Sequence, residues 1–137
     1  MTVLLDTSFL FALTNRNDTS HQACADVAQT LHERLVVPIT VLPEVAYLID
    51  SRLGHHIMQQ FVTQMTRPAW SIEQVQQSDL SRAARILQQY QDNRLDFVDS
   101  TIIAIAERLH ITRILTLDQQ HFRVIRPEHC EAFEILP

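Results

Sequence analysis

Two kinds of apolar pattern alternate along the chain, and together they predict strands that are separated by helices. Short runs of branched and apolar residues are typical of strands buried on both faces, and such runs occur at residues 2–5, 35–37, 69–72 and 113–117. Longer segments, in which apolar residues recur every three to four positions, predict helices, and they lie at residues 8–15, 20–32, 41–53, 55–65, 78–91 and 96–109. Residues 132–135 add either a fifth strand or an edge segment. This order predicts an α/β fold with a central parallel sheet of four or five strands and helices on both sides.

Single residues mark several of the predicted boundaries. Gly54, the only glycine, separates the helices at 41–53 and 55–65, and Pro68 ends the second of them. Thr40 is placed to cap the first of these two helices. These signals make the boundaries in the middle of the chain the best defined.

Length and composition predict one domain over residues 1–137. A chain of this length with 46% apolar residues can bury one substantial core. No apolar run reaches the roughly 18 residues of a membrane helix, and Asp6 interrupts the apolar N-terminus, so neither a membrane span nor a signal peptide is expected. Cys24 and Cys130 lie far apart in the sequence and are expected to be free thiols of a cytoplasmic protein.

The charge balance alone argues against a nucleic-acid partner. The formal net charge is −5, whereas proteins that bind nucleic acids commonly carry basic patches. One or two bound Mg²⁺ ions would bring the charge to roughly −3 or −1. All 11 basic residues are arginines, which suits forked contacts with phosphate and fits a bias in genome composition equally well.

Four acidic residues recur at one kind of position, directly after a strand or in the first turn of a helix. They are Asp6, Glu44, Asp99 and Asp118. The carboxyl ends of parallel strands lie along one edge of a sheet, where α/β folds bind their ligands, so these acids are expected to converge. Each position also has a purely structural interpretation, because an acid favours the start of a helix.

Asp96 and Asp99 have a specific structural alternative of their own. Asp96 is placed to cap the helix that follows, which puts Asp99 three residues later, as in a capping box. If both lie in the first turn, however, their like charges repel each other, and a bound cation would relieve that repulsion.

Carboxylates without a cysteine or histidine partner favour Mg²⁺ or Mn²⁺. Two such ions can activate a water molecule and stabilise the leaving oxygen of a phosphodiester. Because that substrate is itself anionic, bare carboxylates would repel it. The acids therefore indicate metal-dependent phosphodiester hydrolysis.

Four sequence motifs resemble those of the PIN-domain family, in particular its VapC-type toxin ribonucleases. They are LLDTS near the start, PEV after the second strand, FVDSTIIAIAERL, and ILTLDQQHF near the end. The resemblance implies a single PIN-like nuclease domain in which Asp6, Glu44, Asp99 and Asp118 bind the metal. It also implies that Asp96 is accessory or a cap, and that the hydroxyls of Thr7 and Thr116 orient carboxylates or water.

The same resemblance implies the activity and the partners. They are Mg²⁺-dependent endonucleolytic cleavage of RNA (Mn²⁺ as a possible substitute), homodimerisation, and inhibition by a small antitoxin protein. The expected reaction is hydrolysis by a metal-activated water, without a covalent enzyme intermediate. Arg16 and Arg113 are expected close to the mouth of the site, either as contacts to RNA phosphates or in surface salt bridges. A groove formed by helices near residues 41–67 is the expected antitoxin site.

Three other classes of protein fit parts of the pattern. A catalytically silent PIN-fold interaction module would keep the fold without binding metal. A DNA-directed nuclease of the same fold would use the same acids. A phosphotransfer receiver domain also clusters acids at strand ends, but it requires a lysine late in the chain, and this sequence contains none.

Overall fold

The computed structural model describes residues 1–137 and contains one parallel sheet of five strands flanked by seven helices. The strands are β1 (Thr2–Leu5), β2 (Arg34–Pro38), β3 (Trp70–Glu73), β4 (Arg113–Leu115) and β5 (Glu134–Leu136). Their order across the sheet is β3-β2-β1-β4-β5, and every neighbouring pair is parallel. The predicted α/β class and parallel sheet are confirmed. The last segment is a fifth strand, and it lies at one edge.

The helices occupy the predicted segments, with small shifts at their ends. They are α1 (Thr7–Thr14), α2 (His21–Thr30), α3 (Val41–Leu53), α4 (His55–Met65), α5 (Gln77–Gln89), α6 (Phe97–Leu109) and α7 (Gln119–Arg123). A 3-10 turn at Gln91–Asn93 connects α5 to α6. The bounds of α3 and α4 agree with the prediction because Gly54 separates these helices with a backbone φ of +101°, which glycine adopts readily.

The core lies around the central strand β1 and the helix α6. Every side chain from Val3 to Leu5 in β1 is at most 1% exposed, and residues 99–106 of α6 are all buried. A helix that is buried on all sides must be covered on its outer face, and here α5 packs against it. The site residues at the start of α6 therefore belong to a helix that is buried in the core.

The predicted Thr40 cap is wrong, and the predicted start of α5 lies one residue too late. Thr40 makes no capping hydrogen bond to α3, because its hydroxyl pairs with the hydroxyl of Thr101 at 2.7 Å. The helix α5 begins at Gln77 rather than Ser78, and Gln76 and Asp79 form a reciprocal capping box at its start.

The two cysteines are free thiols in the structure. Cys24 is buried and Cys130 is partly exposed, and neither forms a disulfide. None of the helices combines the length and the apolarity required to cross a bilayer.

Candidate metal centre

The backbone brings two of the predicted acids to adjacent strand ends. Asp6 directly follows β1 and Asp118 follows β4, and these strands pair side by side. The backbone N–H of Asp6 donates to the carbonyl of Leu115 at 3.0 Å, which extends the pairing up to the first acid. The two acids therefore lie at the same edge of the sheet, as parallel pairing requires.

The environment of Asp6 shows that Glu44 and Asp118 lie near it. Asp6 is only 5% exposed, and burial raises the pKa of its carboxyl to about 6. Hydrogen bonds from Thr116 and Thr7 oppose this rise. The negative charges of Glu44 and Asp118 raise the pKa further. The first turn of α3, which carries Glu44, therefore faces the carboxyl end of β1.

Asp99 completes the convergence from the first turn of α6. It is 5% exposed, and burial, followed by the charges of Asp96, Asp6 and Asp118, raises the pKa of its carboxyl to about 8. The raised pKa values of Asp6 and Asp99 thus reflect burial together with the acids that lie near each of them. A divalent cation beside these two carboxyls would offset both the burial and the repulsion.

Asp96 is a helix cap in this structure. Its carboxylate accepts the backbone N–H of Asp99 at 2.8 Å, as an N-cap does. Its charge still contributes to the raised pKa of Asp99. The accessory role that the sequence left open is therefore electrostatic, and the capping role is directly visible.

Thr116 connects Asp6 to Asp118. Its hydroxyl donates to Oδ2 of Asp6 at 2.7 Å and accepts the backbone N–H of Asp118 at 2.9 Å. Because the single hydroxyl proton goes to Asp6, the 3.2 Å contact with Ser8 must have Ser8 as the donor. Ser8 in turn accepts the N–H of Leu117 at 2.9 Å. Ser8 was not among the predicted site residues, although its place in the LLDTS motif was the signal for a site role.

The expected role of Thr7 requires a correction. The backbone N–H of Thr7, rather than its hydroxyl, orients the first acid by donating to Oδ1 of Asp6 at 2.7 Å. The hydroxyl oxygen of Thr7 is buried and has no hydrogen-bond partner. An unpaired buried hydroxyl beside this cluster is consistent with a site that binds a further polar group.

His121 is a site residue that sequence reasoning missed. Its Nδ1 lies 2.8 Å from Oδ2 of Asp118 and 3.2 Å from Oδ2 of Asp99. One donor atom from each of these three residues lies within 4.8 Å of the other two, a spacing that allows one metal ion to bind all three. The available signal was the spacing of three residues between Asp118 and His121 at the start of a helix.

The expected position of Arg113 near the acids is wrong, and the salt-bridge role that was its alternative is confirmed. Arg113 is the first residue of β4, so it lies at the end of the strand away from the acids, and its guanidinium pairs with Glu33 and with Glu134. Arg16 follows the C-terminal end of α1, a helix of 8 residues, and is therefore roughly 12 Å along the helix from the acid that caps its start.

A large cleft lies away from the acids. It has a volume of about 1040 Å³ and opens between α1, the following turn and α4. Its apolar lining residues are Leu10, Leu13, Leu53, Ile57, Phe61, Met65 and Trp70. The groove predicted near residues 41–67 therefore differs in composition, because α3 contributes only its last residue and α1 supplies the opposite wall.

The residues at the acid cluster suit a hard divalent cation. Carboxylate oxygens dominate the donors, one imidazole nitrogen accompanies them, and no thiol is among them. Nδ1 of His121 and the hydroxyl oxygen of Thr7 are both buried without an aligned hydrogen-bond partner. Polar atoms without a hydrogen-bond partner, beside acids of raised pKa, are features that a bound cation would satisfy.

Comparison with known proteins gives matches over nearly the whole chain. The PIN domain family model matches residues 3–126. Ribonuclease VapC26 of Mycobacterium tuberculosis is 30% identical over 135 residues, which cover 98% of this chain and 100% of that protein. The crystal structure of Mycobacterium tuberculosis VapC20, described as a Sarcin-Ricin loop cleaving toxin, superposes with a TM-score of 0.82 at 23% identity and covers 87% of this chain and 92% of that one.

A second solved structure has the same fold over the full length of both chains. It is VapBC2 from Rickettsia felis bound to a DNA fragment from its promoter, with a TM-score of 0.75 at 13% identity. At these identities the two solved structures establish the fold alone.

Proposed function

We propose, from the premise that this chain belongs to the PIN domain family, that it is a divalent-metal-dependent endoribonuclease and the toxin of a toxin–antitoxin pair. The observation that carries the proposal is the gathering of acidic side chains near Asp6 and Asp99, whose carboxyl pKa values are raised to about 6 and about 8. An arrangement that raises the pKa of two buried acids is costly without a cation, so it favours a functional site over helix capping. In this proposal residues 1–137 act as one nuclease domain.

The proposed ligands of Mg²⁺ or Mn²⁺ are Asp6, Glu44, Asp99 and Asp118. A divalent ion supplies Lewis acidity there: it makes water a better nucleophile and stabilises the negative charge that develops on the phosphate oxygens. The chain's own residues keep the acids in place. Thr116 and the N–H of Thr7 hold the two oxygens of Asp6 at 2.7 Å each and favour its ionised form.

RNA is the preferred substrate because the 30% identical relative is named a ribonuclease. Phe97 supports a nucleic-acid substrate with unpaired bases. It directly follows Asp96 and is 52% exposed, an unusual position for a large aromatic side chain next to a cluster of acids. Unpaired bases stack on such rings. The acids alone do not distinguish RNA from DNA, so the experiment below includes both.

The proposed antitoxin binds in the cleft between α1 and α4. A solved toxin–antitoxin complex from Klebsiella pneumoniae has the same fold. The cleft has the size for a helix or an extended segment, and its walls carry apolar side chains from both helices. Because it lies away from the acids, inhibition would require a second segment of the partner that reaches the metal centre. Family membership supports homodimerisation as part of the proposal, and analytical ultracentrifugation tests it. The proposed RNA substrate and the two free thiols support a cytoplasmic location.

The test is incubation of the purified protein with a panel of structured RNAs and matched single-stranded DNAs, with Mg²⁺, with Mn²⁺ and with EDTA. We expect internal cleavage of RNA that EDTA abolishes. The variant Asp118→Asn should lose most of this cleavage, whereas Asp92→Asn, which changes an exposed acid in the 3-10 turn, should keep it.

Two outcomes would contradict the proposal. Cleavage of DNA alone would identify a DNA-directed nuclease. The absence of both cleavage and calorimetric uptake of Mn²⁺ would identify a catalytically silent interaction module.

A further inference from the structure

We propose that His121 is a direct ligand of the divalent ion, and that its nitrogen makes the site favour Mn²⁺ over Mg²⁺. This inference rests on the metal site of the proposed function and adds a fifth residue of a different donor type to its four acids. It concerns the identity of the ion and the residues that hold it, and it is independent of the nucleic acid that is cleaved.

The distances around His121 match adjacent positions of one coordination sphere. Ligand atoms about 2.1 Å from an octahedral ion lie about 3.0 Å apart when they occupy neighbouring positions. Nδ1 of His121 is 2.8 Å from Oδ2 of Asp118 and 3.2 Å from Oδ2 of Asp99. Both separations lie within 0.2 Å of the expected edge, so one ion can bind all three atoms.

The orientation of the imidazole does not fit a pair of hydrogen bonds. Although Nδ1 lies close to two carboxylate oxygens, neither contact has the alignment of a hydrogen bond, and the buried nitrogen has no other partner. Charge attraction alone explains the proximity only if the ring is protonated, and a protonated ring gains most by pointing its N–H at one oxygen. Neighbouring ligands of a shared ion, in contrast, do not point at each other, since each points at the ion.

The local structure holds His121 in this position. Asp118 precedes the short helix α7, and the spacing of three residues puts the side chains of Asp118 and His121 on the same side of its first turn. The next residue, Phe122, is fully buried in the core. The backbone of α7 is thus anchored by Phe122, while the ring of His121 faces the acids.

A nitrogen donor changes the preference of the site among divalent ions. Sites made only of carboxylates and water suit Mg²⁺ and Mn²⁺ alike, whereas imidazole is a ligand of the transition metals and rarely of Mg²⁺. With His121 as a ligand, the protein should bind Mn²⁺ more tightly than Mg²⁺. Removal of the imidazole should reduce the affinity for Mn²⁺ more than the affinity for Mg²⁺.

Pulsed EPR of bound Mn²⁺ tests the assignment directly, because a coordinated imidazole nitrogen gives a ¹⁴N coupling that oxygen ligands cannot give. The full chain is treated with EDTA, dialysed and titrated with Mn²⁺ alone. We expect the coupling in the unmodified protein and in the control His56→Gln, which changes an exposed histidine on α4. It should be absent in His121→Gln, whose affinity for Mn²⁺ should fall by about tenfold or more, with a smaller change for Mg²⁺.

A second variant separates the loss of a ligand from a folding defect. His121→Asp replaces the nitrogen by a carboxylate, so it should bind Mn²⁺ without the ¹⁴N coupling. Bound Mn²⁺ without ¹⁴N coupling in the unmodified protein would overturn the role of His121 and leave the proposed function standing. An increased affinity of His121→Gln for Mn²⁺ would do the same, because that result is expected if the ring is a counter-ion of the acids. Failure of the unmodified protein to bind Mn²⁺ at all would overturn the metal site itself.

Discussion

Replacing Asp6 by Asn removes a charge that burial and two neighbouring acids already disfavour. The pKa of Asp6 rises from its ordinary value of 3.8 to about 6 in the folded protein. This rise corresponds to about 3 kcal/mol by which folding disfavours the ionised form. Asparagine carries no charge, but it has a single oxygen, so it can accept only one of the two hydrogen bonds that Thr116 and Thr7 donate to Asp6. The loss of the other hydrogen bond costs about 1 kcal/mol. The metal-free variant should therefore be about 2 kcal/mol more stable than the unmodified protein at pH 8.

The pH dependence of this difference follows from the direction of the shift. The folded protein holds its proton up to about pH 6, whereas the unfolded chain loses it near pH 4. The free energy of unfolding of the unmodified protein thus falls as the pH rises from about 4 to about 6. The free energy of unfolding of Asp6→Asn lacks this decrease, because asparagine does not titrate. Below pH 4 the variant should be about 1 kcal/mol less stable, because only the lost hydrogen bond remains.

A bound metal ion should reverse the order of stability. An ion present at 100 times its dissociation constant stabilises a protein that binds it only when folded by about 2.7 kcal/mol. The unmodified protein should gain this amount, and Asp6→Asn should gain little of it. The variant would then be the more stable protein in EDTA and the less stable one in Mn²⁺, and it should lose most of its cleavage activity.

Thermal unfolding followed by circular dichroism, between pH 4 and pH 8 and with EDTA or Mn²⁺, measures these differences. For a chain of this length, 2 kcal/mol corresponds to a shift of the melting temperature of about 7 °C. Asp92→Asn, at an exposed position, is the control and should show no such pH dependence. If Asp6→Asn were destabilised equally at every pH, the placement of a buried, disfavoured charge at this position would be refuted.

Three further predictions concern other parts of the structure. Thr116→Val removes the hydroxyl that donates to Asp6 at 2.7 Å, so it should reduce cleavage and Mn²⁺ affinity by about 10-fold to 100-fold in kinetic and calorimetric assays. The carboxylate of Asp79 is 2% exposed and lies 3.0 Å from the guanidinium of Arg108. Arg108→Met leaves this carboxylate buried without its partner, and urea unfolding should show that the free energy of unfolding falls by about 3 kcal/mol. Gly54→Ala places a side chain at a backbone φ of +101°, and in the same assay the free energy of unfolding should fall by about 1–3 kcal/mol. Backbone strain is the cause, since the space around the new methyl group is open and no clash occurs.

Each of these variants has a matched control. Thr116→Ser keeps the donor hydroxyl and should retain most of the cleavage activity, and equal activity of the valine and serine variants would contradict the orienting role. Arg123→Met changes an arginine whose hydrogen bond is to a glutamine on the exposed side of α7, so its effect on stability should be within about 0.5 kcal/mol. Gln59→Ala, in the exposed face of α4, shows what an alanine does in a helix, and a loss as large as that of Gly54→Ala would remove the case for backbone strain.

The parts of the structure that depend on local pattern could be predicted from the sequence. A glycine and a proline delimit α3 and α4, and strand ends place Asp6 and Asp118 because parallel strands leave their carboxyl ends on one edge. These predictions require only backbone geometry and the period of the apolar residues.

The parts of the structure that depend on contacts between distant segments could not be predicted from the sequence. Arg113 was misplaced because its partners, Glu33 and Glu134, come from a loop and an edge strand whose positions no local pattern specifies. His121 was missed because α7 has 5 residues, too few for a helical period, and because its contact with Asp99 exists only after α6 packs against the sheet. A chain with several histidines gives no local reason to choose this one.

The hydrogen bonds of Thr116 show which ionisation state the site is built to hold. A hydroxyl has one proton, and here the N–H of Asp118 and the hydroxyl of Ser8 both donate to its oxygen, so the proton is committed to Asp6. A carboxylate that accepts this proton on one oxygen and the N–H of Thr7 on the other is arranged as an anion. Burial acts against that anion and raises its pKa to about 6. The donors and the burial thus oppose each other, and an external positive charge satisfies both, because it offsets the burial without taking a hydrogen bond away. An acid that only caps a helix would need only the hydrogen-bond donors. The opposition between these donors and the burial of Asp6 therefore supports a cation site at this edge of the sheet.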